Sequence, residues 1–290
     1  MSNSTLPNLF VIGAMKSGTT SLHHYLDIHP QIFMSKVKEL NFFIEEENYF
    51  QGIDWYKKNF DIRYRYNGES SQNYTKRHIY QGVPERIKEL IGNDARFIYV
   101  VRDPIKRLVS HINEAKYLGN RSNNFDLEDY SDMQLEKLNY LLTSKYYYQI
   151  VPYMNLFPKE NFHFVCFEGL LTSPEKELNE IFRFLNLEEM GDEAFLNLKA
   201  KNVSKEKKVD SRWLRNLKGG SFVPSFFRKA FPSNFKNDIY TFIEKNDVGK
   251  KSIRQIDLSP DLILRIESIL KEDIKKFKEI TNCKFKEWSL

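Results

Sequence analysis

The segment LFVIGAMKSGTTSL, residues 9–22, sets the first constraint on the fold. A short apolar run ends at Gly13, a second glycine follows at Gly18, and an amphipathic stretch begins at once. That order predicts a buried strand, a tight loop and a helix whose free N–H groups point back at the loop. Such a loop suits an anion, because two glycines let the backbone come close and the helix dipole favours negative charge. A nucleotide triphosphatase loop places its lysine directly after the second glycine, with a magnesium-holding hydroxyl beside it. Here Thr19 stands in that place and Lys16 lies inside the loop. The plain alternative is a strand-to-helix turn with no ligand.

The same alternation continues along the chain. RFIYVV (96–101) predicts a second buried strand and NFHFVCF (161–167) a third. GTTSLHHYLDIHP reads as a helix with Leu22, Tyr25 and Leu26 inward, stopped by Pro30. VPERIKELIG makes a short helix with Pro84 near its start and Gly92 at its end. From Pro104 a further helix carries Ile105, Leu108, Val109 and Ile112 at helical spacing. SPEKELNEIFRFLNL reads as a helix capped by Ser173, with Leu178, Ile181, Phe182 and Leu185 on one face. SPDLILRIESILKEDIKKFKEI repeats that start and buries Leu262, Ile266, Ile269 and Phe277. Strands alternating with helices imply right-handed crossovers and an α/β fold of P-loop type, a parallel sheet flanked by helices on both faces. Ligands then bind beyond the carboxyl ends of the strands, where both GAMKSGTT and RDP fall. No internal repeat or linker asks for a second domain, so one domain over residues 1–290 is expected.

Composition narrows the function classes. Lysine and arginine number 44 against 39 acidic residues, and a net charge of +5 over this length is too small to imply nucleic acid. It does suit a protein that handles anions. No apolar run reaches the roughly eighteen residues of a transmembrane helix, so a soluble protein is expected. The apolar stretch from Leu9 to Met15 has no basic residue ahead of it, which argues against an export signal. Cys166 and Cys283 lie too far apart in sequence to suggest a disulfide framework or metal spacing, and a reducing cytoplasm is the simplest compartment.

Four segments in order resemble those of sulfotransferases that use 3′-phosphoadenosine 5′-phosphosulfate (PAPS), in the glycan-modifying and bacterial branch. FVIGAMKSGTTSL resembles that family's 5′-phosphosulfate loop, which puts Lys16, Ser17, Gly18, Thr19 and Thr20 in its binding positions. VVRDPIKRLVS resembles the 3′-phosphate motif, whose arginine and serine are here Arg102 and Ser110. KELNFF resembles the segment that carries the family's proposed base, here Glu39, with Lys38 beside it. GIDWYKKNF and GESSQNY also resemble segments of that branch, the latter placing Ser71 among substrate-binding candidates, and SKYYYQIVPYMNLFP places Tyr146 near the adenosine or the acceptor. The resemblance implies PAPS as co-substrate, no metal, Lys16 and Glu39 as catalytic residues, and a small-molecule or glycan acceptor.

The chemistry of the residue types agrees. A sulfuryl group carries less charge than a phosphoryl group, so fixed positive charge and positioning serve without a divalent ion. Lys16 suits the departing phosphate, and the planar fork of Arg102 suits the 3′-phosphate. Phe42 and Phe43 give Glu39 an apolar wall, with Lys38 as the compensating cation; the alternative for Glu39 is a helix-start glutamate that complements the dipole. His111 reads as a surface residue of its helix. A basic run at 199–218 is either a nucleotide lid or a solvated segment, and the phenylalanines of 222–235 are core, subunit contact, acceptor lid or membrane-surface patch. A nucleotide or small-molecule kinase, a polyanion-binding module and a non-enzymatic scaffold stay open as alternatives. The acceptor and the oligomeric state are not legible.

Overall fold

A computed structural model describes residues 6–117, 127–191, 258–281, 285 and 288–290. The basic run at 199–218 and the aromatic segment at 222–235 lie outside the described residues, as does part of the expected single domain. In chain order the strands are β1 (Leu9–Gly13), β2 (Ile32–Met34), β3 (Tyr66–Ser70), β4 (Arg96–Val101) and β5 (Phe162–Cys166). The α-helices are α1 (Thr19–Leu26), α2 (Gly52–Lys57), α3 (Val83–Ile91), α4 (Pro104–Tyr117), α5 (Asp132–Glu136), α6 (Asn139–Leu142), α7 (Tyr146–Leu156), α8 (Phe167–Thr172), α9 (Pro174–Phe184) and α10 (Pro260–Thr281).

The sheet is parallel throughout, in the order β2-β3-β1-β4-β5. Leu9 pairs with Gly68 on one side and Arg96 on the other, and Phe97 with Phe162. Every residue of β1 is buried, as a strand covered by helices on both faces must be. This is the α/β, P-loop-type arrangement expected from the alternation of elements.

Two strands are absent from the sequence reading. β2 is only three residues long, and β3, YNGES, is polar although all five of its residues are buried. A polar strand is tolerable here because its charge is fully hydrogen-bonded. Glu69 accepts hydrogen bonds from the hydroxyls of Tyr56, Tyr74 (2.9 Å) and Ser71 (2.9 Å). Burial nonetheless pushes its carboxyl up from 4.5 to about 7, against the pull of those three hydroxyls.

The helical faces follow the expected spacing with small shifts. In α1 the inward residues are Leu22, His23 and Leu26, while Tyr25 is half-buried. In α10 Leu270 rather than Ile269 enters the core, with Leu262, Ile266, Ile274 and Phe277. Ser259 caps α10 by accepting the Leu262 N–H at 3.1 Å. Ser173 precedes Pro174 of α9 but its side chain makes no cap bond, so that cap is corrected: the helix start relies on proline and on Glu175 and Glu177 in the first turn.

Candidate active site

Parallel strands bring the loops that follow them to one edge. Here the residues after β1, β2, β3, β4 and β5 supply Lys16, Glu39, Gln72, Arg102 and Phe167 respectively.

The loop after β1 is built around its two glycines. Gly13 has φ 146°, and a Cβ there would lie 2.2 Å from Thr75 Oγ1, whose hydroxyl donates to the Ile12 carbonyl at 2.9 Å. Gly18 has φ 84°, and a Cβ there would lie 2.5 Å from the Phe167 ring. Inside the loop Ala14 N–H donates to Val100 O at 2.6 Å and Ser17 N–H to Ala14 O at 3.2 Å. Gly18 begins α1 with no side-chain cap, so the first amides of the helix have no intrahelical acceptor. Ser17 and Thr19 are buried, and Thr20 is half-buried. Lys16, at φ 68°, directs its ammonium to Glu114 Oε1 of α4 at 2.9 Å.

Arg102 stands beside this loop at the end of β4. Its guanidinium carbon lies 4.9 Å over the Phe167 ring and its Nη1 donates to the Lys16 carbonyl at 3.4 Å. Its Nε is buried and has no partner among the described residues. A buried charged donor with no acceptor is costly, and an anion from outside is the natural complement. Ser110 is half-buried on α4, and Asp103 caps that helix through the Lys106 N–H (2.9 Å) while binding Ser289 N–H at 2.8 Å.

Tyr146 is wholly buried. Its hydroxyl donates to the Arg102 carbonyl at 2.6 Å and receives the Arg102 N–H at 3.3 Å, and burial raises its pKa well above 10. It braces the end of β4 from the core. Ser71 is likewise wholly buried, donating to Glu69 and accepting the Asn41 N–H at 3.0 Å. Neither hydroxyl faces open space; both reach the site through the residues they hold.

Glu39 is 9% exposed and lies between β2 and α2, with no helix over residues 35–48. The helix-start alternative is therefore overturned. Glu39 Oε2 accepts the Gln72 N–H at 2.9 Å, Oε1 pairs with Lys38, and its own N–H donates to Ser70 O at 2.9 Å. Phe42 and Phe43 are core residues, Phe42 stacked on Tyr56 at 4.0 Å. The carboxylate's identified contacts are thus polar rather than an aromatic wall.

Several residues around this edge went unread in the sequence. Arg107 is wholly buried, donating to Ser144 Oγ (2.8 Å), to the Tyr140 carbonyl and to Met15 O of the loop (3.4 Å). His111 is buried rather than at the surface, 3.3 Å from Arg107 Nη1; burial, then Arg107, Lys76 and Lys16, push it down to about 2, so its ring is neutral. Lys76 is 8% exposed, and burial pulls its ammonium from 10.5 down to about 8. The i, i+4 pairs Arg107/His111 and Ser110/Glu114 were available as a signal in VVRDPIKRLVSHINE.

A family model described as a sulfotransferase domain matches residues 6–281. The chain belongs to the sulfotransferase family. Its curated relatives include heparan sulfate glucosamine 3-O-sulfotransferase 5 of Mus musculus and of Homo sapiens, each 30% identical over 192 residues. Those matches cover 63% of this chain and 54% of the relative, so this sulfotransferase chain spans about half the length of those proteins. A solved sulfotransferase from Alicyclobacillus acidocaldarius shares the fold, with a TM-score of 0.63 at 19% identity over 98% of this chain and 99% of that one. In this chain the lysine of the glycine loop lies beside the arginine at the end of the neighbouring strand.

Proposed function

We propose that the protein transfers the sulfuryl group of PAPS to an acceptor hydroxyl. The observation that carries this reading is the buried Nε of Arg102, without a partner among the described residues, beside a glycine-hinged helix start that has no side-chain cap. Two phosphate sites fit there: the loop amides and Lys16 for the 5′-phosphosulfate, and Arg102 with Ser110 for the 3′-phosphate. These residues suit the donor because they offer fixed positive charge and N–H donors where phosphate oxygens need them.

In the transfer, Glu39 takes the acceptor's hydroxyl proton as the acceptor oxygen forms its bond to sulfur. The sulfur's bond to the bridging phosphate oxygen breaks, and its electron pair stays on the phosphate of adenosine 3′,5′-bisphosphate. Lys16 stabilises that growing charge. Lys38 and the Gln72 amide hold the Glu39 carboxylate in place. A sugar hydroxyl is the favoured acceptor class, since the relatives' names specify glucosamine 3-O-sulfation; other alcohols compete with it.

The test is transfer of label from sulfur-35 PAPS to glucosamine-containing oligosaccharides and to simple alcohols, with chelator present. Labelled sulfate ester and adenosine 3′,5′-bisphosphate in equal amounts are expected. Phosphoryl transfer from magnesium ATP to the same acceptors, with no sulfate ester, overturns the proposal in favour of a kinase.

A further inference from the structure

The segment that carries Glu39 is held in a conformation its own sequence does not favour. Glu39 has φ 59° and Asn41 φ 49°, both in the left-handed region, and of the two residue types only asparagine is at home there. Strained backbone of this kind persists where the surroundings over-determine it. Here three amides of the segment are fixed by the end of β3 and the residues after it. Glu39 N–H donates to Ser70 O at 2.9 Å, Asn41 N–H to Ser71 Oγ at 3.0 Å, and Phe43 N–H to the Tyr74 hydroxyl at 3.2 Å.

Two of those acceptors are hydroxyls, and a hydroxyl accepts an amide bond well only when its own proton is directed elsewhere. Glu69 provides that second direction. Its Oε2 takes the Ser71 proton and its Oε1 the Tyr74 proton, each at 2.9 Å, with Tyr56 as a further donor to Oε1. The carboxylate is wholly buried and, when ionised, only accepts, so both hydroxyls are turned with their lone pairs toward the Asn41 and Phe43 amides. Tyr56 differs from Tyr74 in this respect. Its hydroxyl also donates to Glu69, but it meets the segment through its ring, which packs on the rings of Phe42 and Phe43.

We propose that Glu69 is a positioning residue for Glu39: by holding the Ser71 and Tyr74 hydroxyls as acceptors of the Asn41 and Phe43 amides, it locks the left-handed backbone that sets where the Glu39 carboxylate stands. The inference rests on the reading of Glu39 as the base of the proposed transfer. It accounts for a carboxylate buried in the middle of the sheet, where an apolar side chain would be less costly.

The two tyrosines provide the test, because Tyr74→Phe and Tyr56→Phe each remove one hydroxyl from Glu69 but only the first also frees an amide of the segment. Three quantities are read at pH 8, where Glu69, raised by burial to about 7, is ionised. They are turnover of PAPS with a glucosamine-containing oligosaccharide, affinity for adenosine 3′,5′-bisphosphate by calorimetry, and amide hydrogen exchange of residues 39–44 by mass spectrometry. Glu69→Gln, Ser71→Ala and Tyr74→Phe are each expected to lower kcat about tenfold and to speed exchange in the segment, with nucleotide affinity within about threefold of the parent. Tyr56→Phe should keep kcat within about threefold and leave exchange unchanged. Melting temperatures identify any variant that unfolds, and the others carry the comparison. Added to Glu39→Gln, Tyr74→Phe should lower kcat no further, since no base is left to position. Equal kcat losses from the two tyrosine variants, or the full tenfold loss repeated in the Glu39→Gln background, overturn the positioning role. So does a loss in Glu39→Gln with none in Ser71→Ala and Tyr74→Phe. Unchanged kcat in Glu39→Gln itself overturns the base reading, and the role of Glu69 in catalysis with it.

Discussion

The guanidinium of Arg102 lies 4.9 Å over the ring of Phe167, and the same ring closes on Gly18. One aromatic side chain at the end of β5 thus touches both halves of the proposed donor site, the loop after β1 and the arginine after β4. Gly18→Ala should be damaging twice over, through its φ of 84° and through a Cβ 2.5 Å from that ring. A loss of about 1–3 kcal/mol in stability is expected. Phe167→Ala combined with Gly18→Ala should recover the steric part only, read as a melting temperature between that of Gly18→Ala and the value for additive losses.

Nucleotide choice tests the two proposed phosphate sites. Arg102→Ala and Ser110→Ala should each weaken adenosine 3′,5′-bisphosphate and barely alter adenosine 5′-monophosphate. A hydrogen bond to a charged group is worth about 1.5–3 kcal/mol, so roughly ten- to a hundredfold is expected by calorimetry. Equal losses for both nucleotides would place these residues elsewhere.

The proposed catalytic pair, Lys16 and Glu39, is separable by kinetics. Lys16→Ala should lower kcat by about 10²–10³ with a smaller change in nucleotide affinity, because its contact strengthens as the leaving phosphate gains charge. Glu39→Gln should lower kcat by about 10²–10⁴ while keeping the bond from the Gln72 amide, since an amide oxygen accepts that bond but cannot take a proton. Unchanged kcat in Glu39→Gln, with a lower melting temperature, would leave Glu39 a purely structural role.

Glu69 predicts a pH dependence of stability. Burial raises its folded pKa from 4.5 to about 7, so the folded state holds this proton where the unfolded chain has lost it. The contribution is full below pH 4.5 and is lost as pH rises through 7. At about 1.4 kcal/mol per pH unit that span is roughly 3 kcal/mol. The stability of the parent relative to Glu69→Gln should therefore fall between pH 5 and pH 8. A difference that is flat with pH, followed by urea unfolding, would contradict it.

What was legible in the sequence follows from how each part is stabilised. β1 and β4 read directly because central parallel strands bury both faces and need apolar runs, and the edge strand β5 read from its own apolar run FHFVC. β3 did not, because Glu69 is made tolerable by Tyr56 and by neighbours that no period reveals. The conformation of the glycine loop and the place of Arg102 at a strand end were readable from glycine spacing and the apolar run of β4, since local backbone geometry dictates them. Phe167, Lys76 and Arg107 were not, because they act through the crossing of elements far apart in sequence. Tyr146 was read as lying close to the ligand; its motif is at the site, but its hydroxyl turns inward to the backbone of Arg102.

The most direct test of the donor site is calorimetry of the unaltered protein against adenosine 3′,5′-bisphosphate, adenosine 5′-monophosphate and magnesium ATP under one set of conditions. The bisphosphate should bind tightest, and by roughly ten- to a hundredfold over the monophosphate, because only it engages Arg102 and Ser110. Magnesium ATP binding tighter than the bisphosphate would contradict a PAPS site and return the glycine loop to a triphosphate.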